Sequence, residues 1–182
     1  MKKTESEHHK QALIGHHLRM QQITILILFL FILSPSVSAK ERAGPAVVID
    51  GDSLEVDGRN IRLWGIDAPE YRQTCTRDGK SWKCGAAAKR ALRNKISKAS
   101  LRCQILDTDR YAREVCTCTV RGLSLNAWMV EQGWALDYSR YSKGRFATEE
   151  AAARNAQRGI WSGSFGNPEQ WRRDNPWTQK PR

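Results

Sequence analysis

Beyond residue 39 the sequence contains no histidine: His8, His9, His16 and His17 all fall before it. In the part long enough to fold, Ser-His-Asp hydrolysis, His–Cys zinc sites and histidine-driven proton transfer are therefore excluded. A general base there must be a carboxylate, and a metal site must be built from oxygen or sulfur. No Cys-x-x-Cys pair occurs either, which argues against a zinc or thiol-redox centre. The longest apolar run, residues 23–33 (ITILILFLFIL), falls short of the ~20 residues that a membrane span needs. Internal repeats and low-complexity tracts are absent.

What is present divides at Ala39. Residues 1–22 are polar and carry Lys2, Lys3, Lys10 and Arg19; the apolar run follows, and residues 34–39 (SPSVSA) end in a small-x-small pattern. This is the pattern of a secretory signal peptide cleaved after Ala39, so the expected location is secreted or periplasmic. An uncleaved anchor is the competing reading. The 182-residue chain less this segment is a length for one domain with a real core. Four of the 30 basic and two of the 19 acidic residues lie in the presequence, leaving an excess of nine positive charges on the rest. Such an excess attracts polyanions such as nucleic acid or acidic polysaccharide, although a basic surface is also common on exported proteins without a specific partner. All five cysteines follow residue 39, as suits an oxidising compartment. Cys75 and Cys84 flank a short polar stretch that a bridge would staple. Cys103 and one of Cys116 and Cys118 form a second candidate pair with one thiol left over, since neighbours on one strand face are poorly placed to bond each other.

The chain is organised around residues 46–70 (AVVIDGDSLEVDGRNIRLWGIDAPE), where Asp50, Asp52, Asp67, Glu70 and Arg62 gather at strand ends. Residues 40–45 read as a linker. Residues 46–50 and 53–56 read as strands, Asp57-Gly58 as a two-residue hairpin turn, and 60–66 (NIRLWGI) as a curved strand. Residues 71–83 read as a surface loop. Ala88, Leu92 and Ile96 recur at i, i+4, i+8 and predict a helix over 85–98, with Lys89, Arg90, Arg93 and Lys95 on other faces, as a solvated surface or a polyanion-binding one. Strands follow at 101–106 and 114–120, joined by the polar loop 107–113 (DTDRYAR). Ser124 caps a short helix stopped at Gly133. Residues 138–144 read as a loop, and Thr148 as the cap of a helix stopped by Gly159. Ile160 and Trp161 return to the core, and 163–182 reads as an irregular tail. This order lacks regular strand–helix alternation. It predicts a mainly β fold with α (α+β): a five-stranded oligonucleotide-binding barrel with about three helices, spanning 46–162.

Several strings then stand in one order: Val48-Ile49-Asp50-Gly51-Asp52-Ser53, Ile61-Arg62-Leu63, Asp67-Ala68-Pro69-Glu70, Asp109-Arg110-Tyr111-Ala112-Arg113, Asn126 with Gln132-Gly133, and Gly159-Ile160-Trp161. Together they make the chain resemble the staphylococcal (micrococcal, or thermonuclease) nuclease family. The resemblance implies that Asp52, Asp67 and the backbone carbonyl of Ala68 hold Ca²⁺, an ion that suits hard oxygen ligands. It makes Asp50 a carboxylate behind them, or else only the cap of the turn at Gly51. It further implies that Glu70 is the general base, that Arg62 and Arg113 grip the reactive phosphate, and that Tyr111 and Tyr141 lie beside the nucleotide. The implied substrates are single-stranded or fraying DNA and RNA, cut by a monomer at the 5′ oxygen. The sequence departs from the family where Ala112 replaces a glycine before the second arginine, in the short loop 107–113, and at Cys75 and Cys84. The alternatives are a non-catalytic nucleic-acid-binding module on the same barrel, and a nuclease-like protein of exopolysaccharide (succinoglycan-type) biosynthesis. The same acid–arginine set could also be ordinary surface ion pairs.

Overall fold

The computed structural model describes residues 40–176. The signal-peptide reading of residues 1–39 lies outside the described residues, as do residues 177–182. Strand β1 (Glu41–Gly44) runs through Pro45 into β2 (Ala46–Val48). Strand β1 pairs antiparallel with β8 (Leu101–Thr108), and β2 pairs antiparallel with β3 (Ser53–Val56). The remaining order runs from β8 through β9 (Glu114–Val120) and β4 (Arg59–Leu63) to β3. One bent stave thus borders both ends of the sheet and curls it back on itself. Pro45 sits between the two pairings, where its missing N–H costs no ladder bond. Residues 40–44, expected as a linker, therefore contribute a strand. Its backbone ladder holds it, together with Arg42, whose Nε and Nη2 donate to the two Glu114 oxygens at 3.1 and 2.7 Å.

The Asp57-Gly58 turn joins β3 to β4 as expected, with φ of 51° and 67° at its two central residues, the positive values that a twist-matched hairpin requires. Strand β4 then pairs in parallel with β9, placing Arg62 beside Val115. Two short strands, β5 (Ile66–Asp67) and β11 (Leu136–Asp137), pair beneath the barrel mouth. The stretch 71–83, expected as a loop, holds the hairpin β6 (Cys75–Arg77) and β7 (Lys80–Trp82). Strand β10 (Leu123–Ser124) extends the sheet beside β9.

Helix α1 (Cys84–Ile96) buries Ala88, Leu92 and Ile96, the stripe its spacing predicts. Helix α2 (Leu125–Glu131) is capped by the Ser124 hydroxyl, which accepts from the Ala127 amide at 3.2 Å. Its buried Asn126 accepts from the Cys118 amide and donates to the carbonyls of Trp64 and Cys116, tying helix to barrel. Residues 138–144 contain a single turn, α3 (Ser139–Ser142), where a loop was expected. Helix α4 (Ala147–Asn155) starts before Thr148, has no side-chain cap, and ends short of Gly159. Its Glu150 instead accepts the Asp137 amide at 2.8 Å. After a 3-10 turn (Gly159–Ser162), helix α5 (Pro168–Asp174) lies within the stretch expected to be an irregular tail. Asn167 caps it by accepting from the Gln170 amide at 3.1 Å.

The core lies inside the barrel and under α1 and α2: Leu54, Val56, Ile61, Leu63, Leu92, Leu101, Leu125 and Met129 are fully buried. Disulfides join Cys75 to Cys84 and Cys103 to Cys118, the latter directly across the β8–β9 ladder. Cys116 is the odd thiol. It is buried, and burial pushes it up to about 12, which leaves no reactive thiolate at neutral pH. In native oxidised protein an aromatic disulfide reagent should therefore find no thiol. One should react in denaturant and all five after reduction.

Candidate active site

The site starts in the turn between β2 and β3. The amides of Ile49 and Asp50 both donate to the Ser53 carbonyl, at 2.9 and 3.2 Å. The Asp50 carboxylate accepts from the Asp52 amide at 3.1 Å, so it does cap the turn. A Cβ on Gly51 would lie 2.6 Å from the Ala68 Cβ; the lack of a side chain there lets the turn press against the Asp67-Ala68 segment. Asp52 is buried at the start of β3. Its Oδ2 accepts from the Ala68 amide at 2.8 Å, and its Oδ1 meets the Ser53 hydroxyl and Arg62 Nη1.

Register places Arg62 on β4 directly opposite Ser53. Its Nη2 donates to Asp67 Oδ1 at 2.9 Å and to the Ile66 carbonyl at 3.2 Å. Glu70 follows Pro69, and its amide donates to the buried Gln73 side chain at 3.2 Å. The start of α1 braces the same loop from behind: a Cβ on Gly85 would fall 1.7 Å from the Glu70 carbonyl oxygen.

Crowding sets the electrostatics. Burial, then the Asp52 charge, pushes Asp50 up to about 7. Burial raises Asp67 even though Arg172 and Arg62 oppose it. Glu70 is raised by burial and by Asp52, against Arg172, and a raised carboxylate is a stronger base. For Arg62, burial works against the charge, but Asp52, Asp67 and Asp50 outweigh it and hold the proton more firmly.

Arg113 reaches the cluster indirectly. Its Nη1 donates to the Ser53 hydroxyl at 3.4 Å, and that hydroxyl also meets Asp52. Asp109 orients it, accepting from Arg113 Nε at 2.8 Å and from the amides of Arg113 and Tyr111. Tyr111 is exposed, with the Arg113 and Arg110 guanidinium groups over its ring. Tyr141 is exposed and meets Tyr138 edge-on at 5.0 Å.

The sequence reading missed Arg172 on α5. Its Nη1 donates to Asp67 Oδ1 at 2.7 Å and to Glu70 Oε1 at 2.9 Å, and its Nη2 to Asp67 Oδ2 at 3.0 Å. Arg62, Asp52 and Asp67 thus touch directly, Glu70 joins them through Arg172, and Arg113 joins through Ser53. Asn167-Pro168-Glu169, a cap followed by proline and an acid in the first turn, was the sequence signal for the helix that carries Arg172.

Among the described residues, no group of three or more acidic, cysteine or histidine side chains stands arranged to hold a metal ion. The donors suit Ca²⁺ in kind, since two buried aspartates beside a backbone carbonyl are hard oxygens. In this arrangement guanidinium groups take Asp52 Oδ1 and both Asp67 oxygens, and the Ala68 amide takes Asp52 Oδ2.

The curled oligonucleotide-binding-type barrel thus gathers its buried carboxylates and arginines at one place. The family described as Staphylococcal nuclease homologue matches residues 60–163, and this chain belongs to it. Over 127 residues it is 36% identical to the succinoglycan biosynthesis protein ExoI of Rhizobium meliloti, covering 68% of this chain and 66% of ExoI. It is 32% identical over 126 residues to the probable staphylococcal-like nuclease CAN1 of Oryza sativa subsp. japonica, covering 68% of this chain and 35% of CAN1. Protein ParB of Escherichia coli is 30% identical over 172 residues, or 85% of this chain and 92% of ParB. The chain thus spans just under two thirds of ExoI and about a third of the rice protein.

Ala112, just before Arg113, sits at φ 60°. A left-handed residue with a Cβ costs ~1–2 kcal/mol, and glycine loses ~0.5–1 kcal/mol more chain entropy on folding. Ala112→Gly should therefore stabilise the protein by up to ~1 kcal/mol, seen as a rise of a few degrees in thermal unfolding.

Proposed function

We propose that this chain is an exported, monomeric, calcium-dependent nuclease that hydrolyses phosphodiester bonds of single-stranded or fraying DNA and RNA. The observation that carries the reading is the convergence of Asp52, Asp67, Glu70 and Arg62 at one barrel mouth, with Arg113 linked through Ser53. Family membership and the excess of positive charge support it. The signal-like presequence supports export.

Asp52, Asp67 and the Ala68 carbonyl would hold Ca²⁺, with Asp50 behind them; the ion supplies Lewis-acid polarisation of the phosphoryl group when bound. Glu70 orients the attacking water and takes its proton, a task its raised proton affinity favours. The water oxygen bonds to phosphorus, the P–O5′ bond breaks, and the 5′ oxygen leaves with a proton from solvent. The products are a 3′-phosphate and a 5′-hydroxyl. Arg62 and Arg113 pair with phosphate oxygens as charge builds on them. Asp109 sets the direction of Arg113. Tyr111 and Tyr141 offer exposed rings to unstacked bases.

A second reading follows from the name of ExoI: a nuclease-like protein serving succinoglycan-type polysaccharide production, with the same basic surface meeting an acidic glycan.

Digestion of single-stranded DNA and RNA by the chain from Lys40 tests the first reading. Cleavage should require calcium, stop with chelator, and fall ~10²-fold or more in Glu70→Gln and in Arg113→Ala. A folded, oxidised protein that binds DNA and never cuts it would overturn the catalytic reading and favour a binding module or the glycan role.

A further inference from the structure

Helix α5 lies beyond the residues matched to the family, yet it delivers a guanidinium to the acids of the site. Arg172 donates to both oxygens of Asp67 and to Glu70 Oε1, at 2.7 to 3.0 Å. Asp67 Oδ1 also accepts from Arg62. A carboxylate oxygen bound to Ca²⁺ sits 2.3–2.6 Å from the ion. With Arg172 in place, a dication there would meet two guanidinium groups across the same carboxylate oxygens. Like charges at such separations in a partly desolvated site repel strongly.

The helix is mounted as an arm with a fixed root. Thr76 and Ser164 exchange two backbone hydrogen bonds, at 2.8 and 2.9 Å. Thr76 follows Cys75, whose disulfide to Cys84 ties this hairpin to the start of α1. The fully buried Gln73 donates to the Gly166 carbonyl at 2.7 Å, and Pro168 is buried. In its first turn Glu169 pairs with Arg140 and, within the helix, with Arg173, all at the surface, where ion pairs are weak. A seven-residue helix is too short to hold its shape alone, so docking of the tip keeps α5 ordered.

We propose that α5 is a cationic strap: Arg172 occupies the place of a divalent cation at Asp67 and Glu70, and the cation binds only when Arg172 leaves. The proposal rests on the reading of Asp67 as a calcium ligand. Its effect is a built-in competitor, since calcium affinity is reduced by the fraction of molecules in which the strap is docked.

Calorimetric titration of the full chain with calcium chloride, alongside Arg172→Gln and Arg172→Lys, tests this. Arg172→Gln should bind calcium ~10-fold or more tightly than wild type, and Arg172→Lys, which keeps the charge, should stay near wild type. Hydrogen exchange on the wild type gives an answer independent of any variant: saturating calcium should speed exchange at residues 168–174. Equal or weaker binding by Arg172→Gln overturns the strap while calcium binding by the wild type upholds the ligand reading. Unchanged or slowed exchange at 168–174 in calcium-bound wild type overturns it too. If neither protein binds calcium, the ligand reading fails and the strap falls with it.

Discussion

The guanidinium of Arg62, bridging Asp52 and Asp67, is the contact on which the site depends. Two aspartates this deeply buried need a cation between them, because an unpaired buried carboxylate gives up its charge or its place. Removing one partner of such a pair costs on the order of 3–5 kcal/mol. The surrounding backbone serves that contact. The β3–β4 register puts Arg62 opposite Ser53, one residue from Asp52, and the β5–β11 pairing fixes Asp67. Gly51 and Gly85 then let the β2–β3 turn and the start of α1 close on the carboxylate loop from two sides.

The parts of the fold that were legible are those whose signals are local. The Asp57-Gly58 turn, the Ala88–Leu92–Ile96 stripe and the Ser124 cap each act within a few residues, and each stands where the spacing puts it. Residues 41–44 contain a single clearly apolar residue, Ala43. Their pairing partners lie some 60 residues away on β8, so no local pattern marks a strand. Thr148 looked like a cap, but its helix begins one residue earlier, where Phe146 packs into the core and decides the start. The second disulfide was open in the sequence between Cys116 and Cys118. Only the β8–β9 register, which sets Cys118 opposite Cys103, resolves it.

Of the site, the acids and Arg62 were legible because they cluster within 21 residues of sequence, and the structure brings Asp52, Asp67 and Arg62 into contact. Arg172 was not, being 105 residues from Asp67 in a stretch whose glycines, prolines and charges suggest no order. Its cap-proline-acid signature was overridden by composition. The segment after the matched family span therefore matters to the site: rooted against the Cys75–Cys84 hairpin, it returns a guanidinium to the acids.

The odd cysteine has a consequence for how the chain must mature. Cys116 and Cys118 lie two residues apart on β9, so a two-residue slip of β9 along β8 would set Cys116 opposite Cys103 and keep every side chain on its own face. The irregularity in the ladder between Ile105 and Asp107 gives the pairing one place where it fits. The choice of Cys118 over Cys116 as the partner of Cys103 therefore rests on strand register alone, which ties the covalent bond to how the β8–β9 hairpin zips.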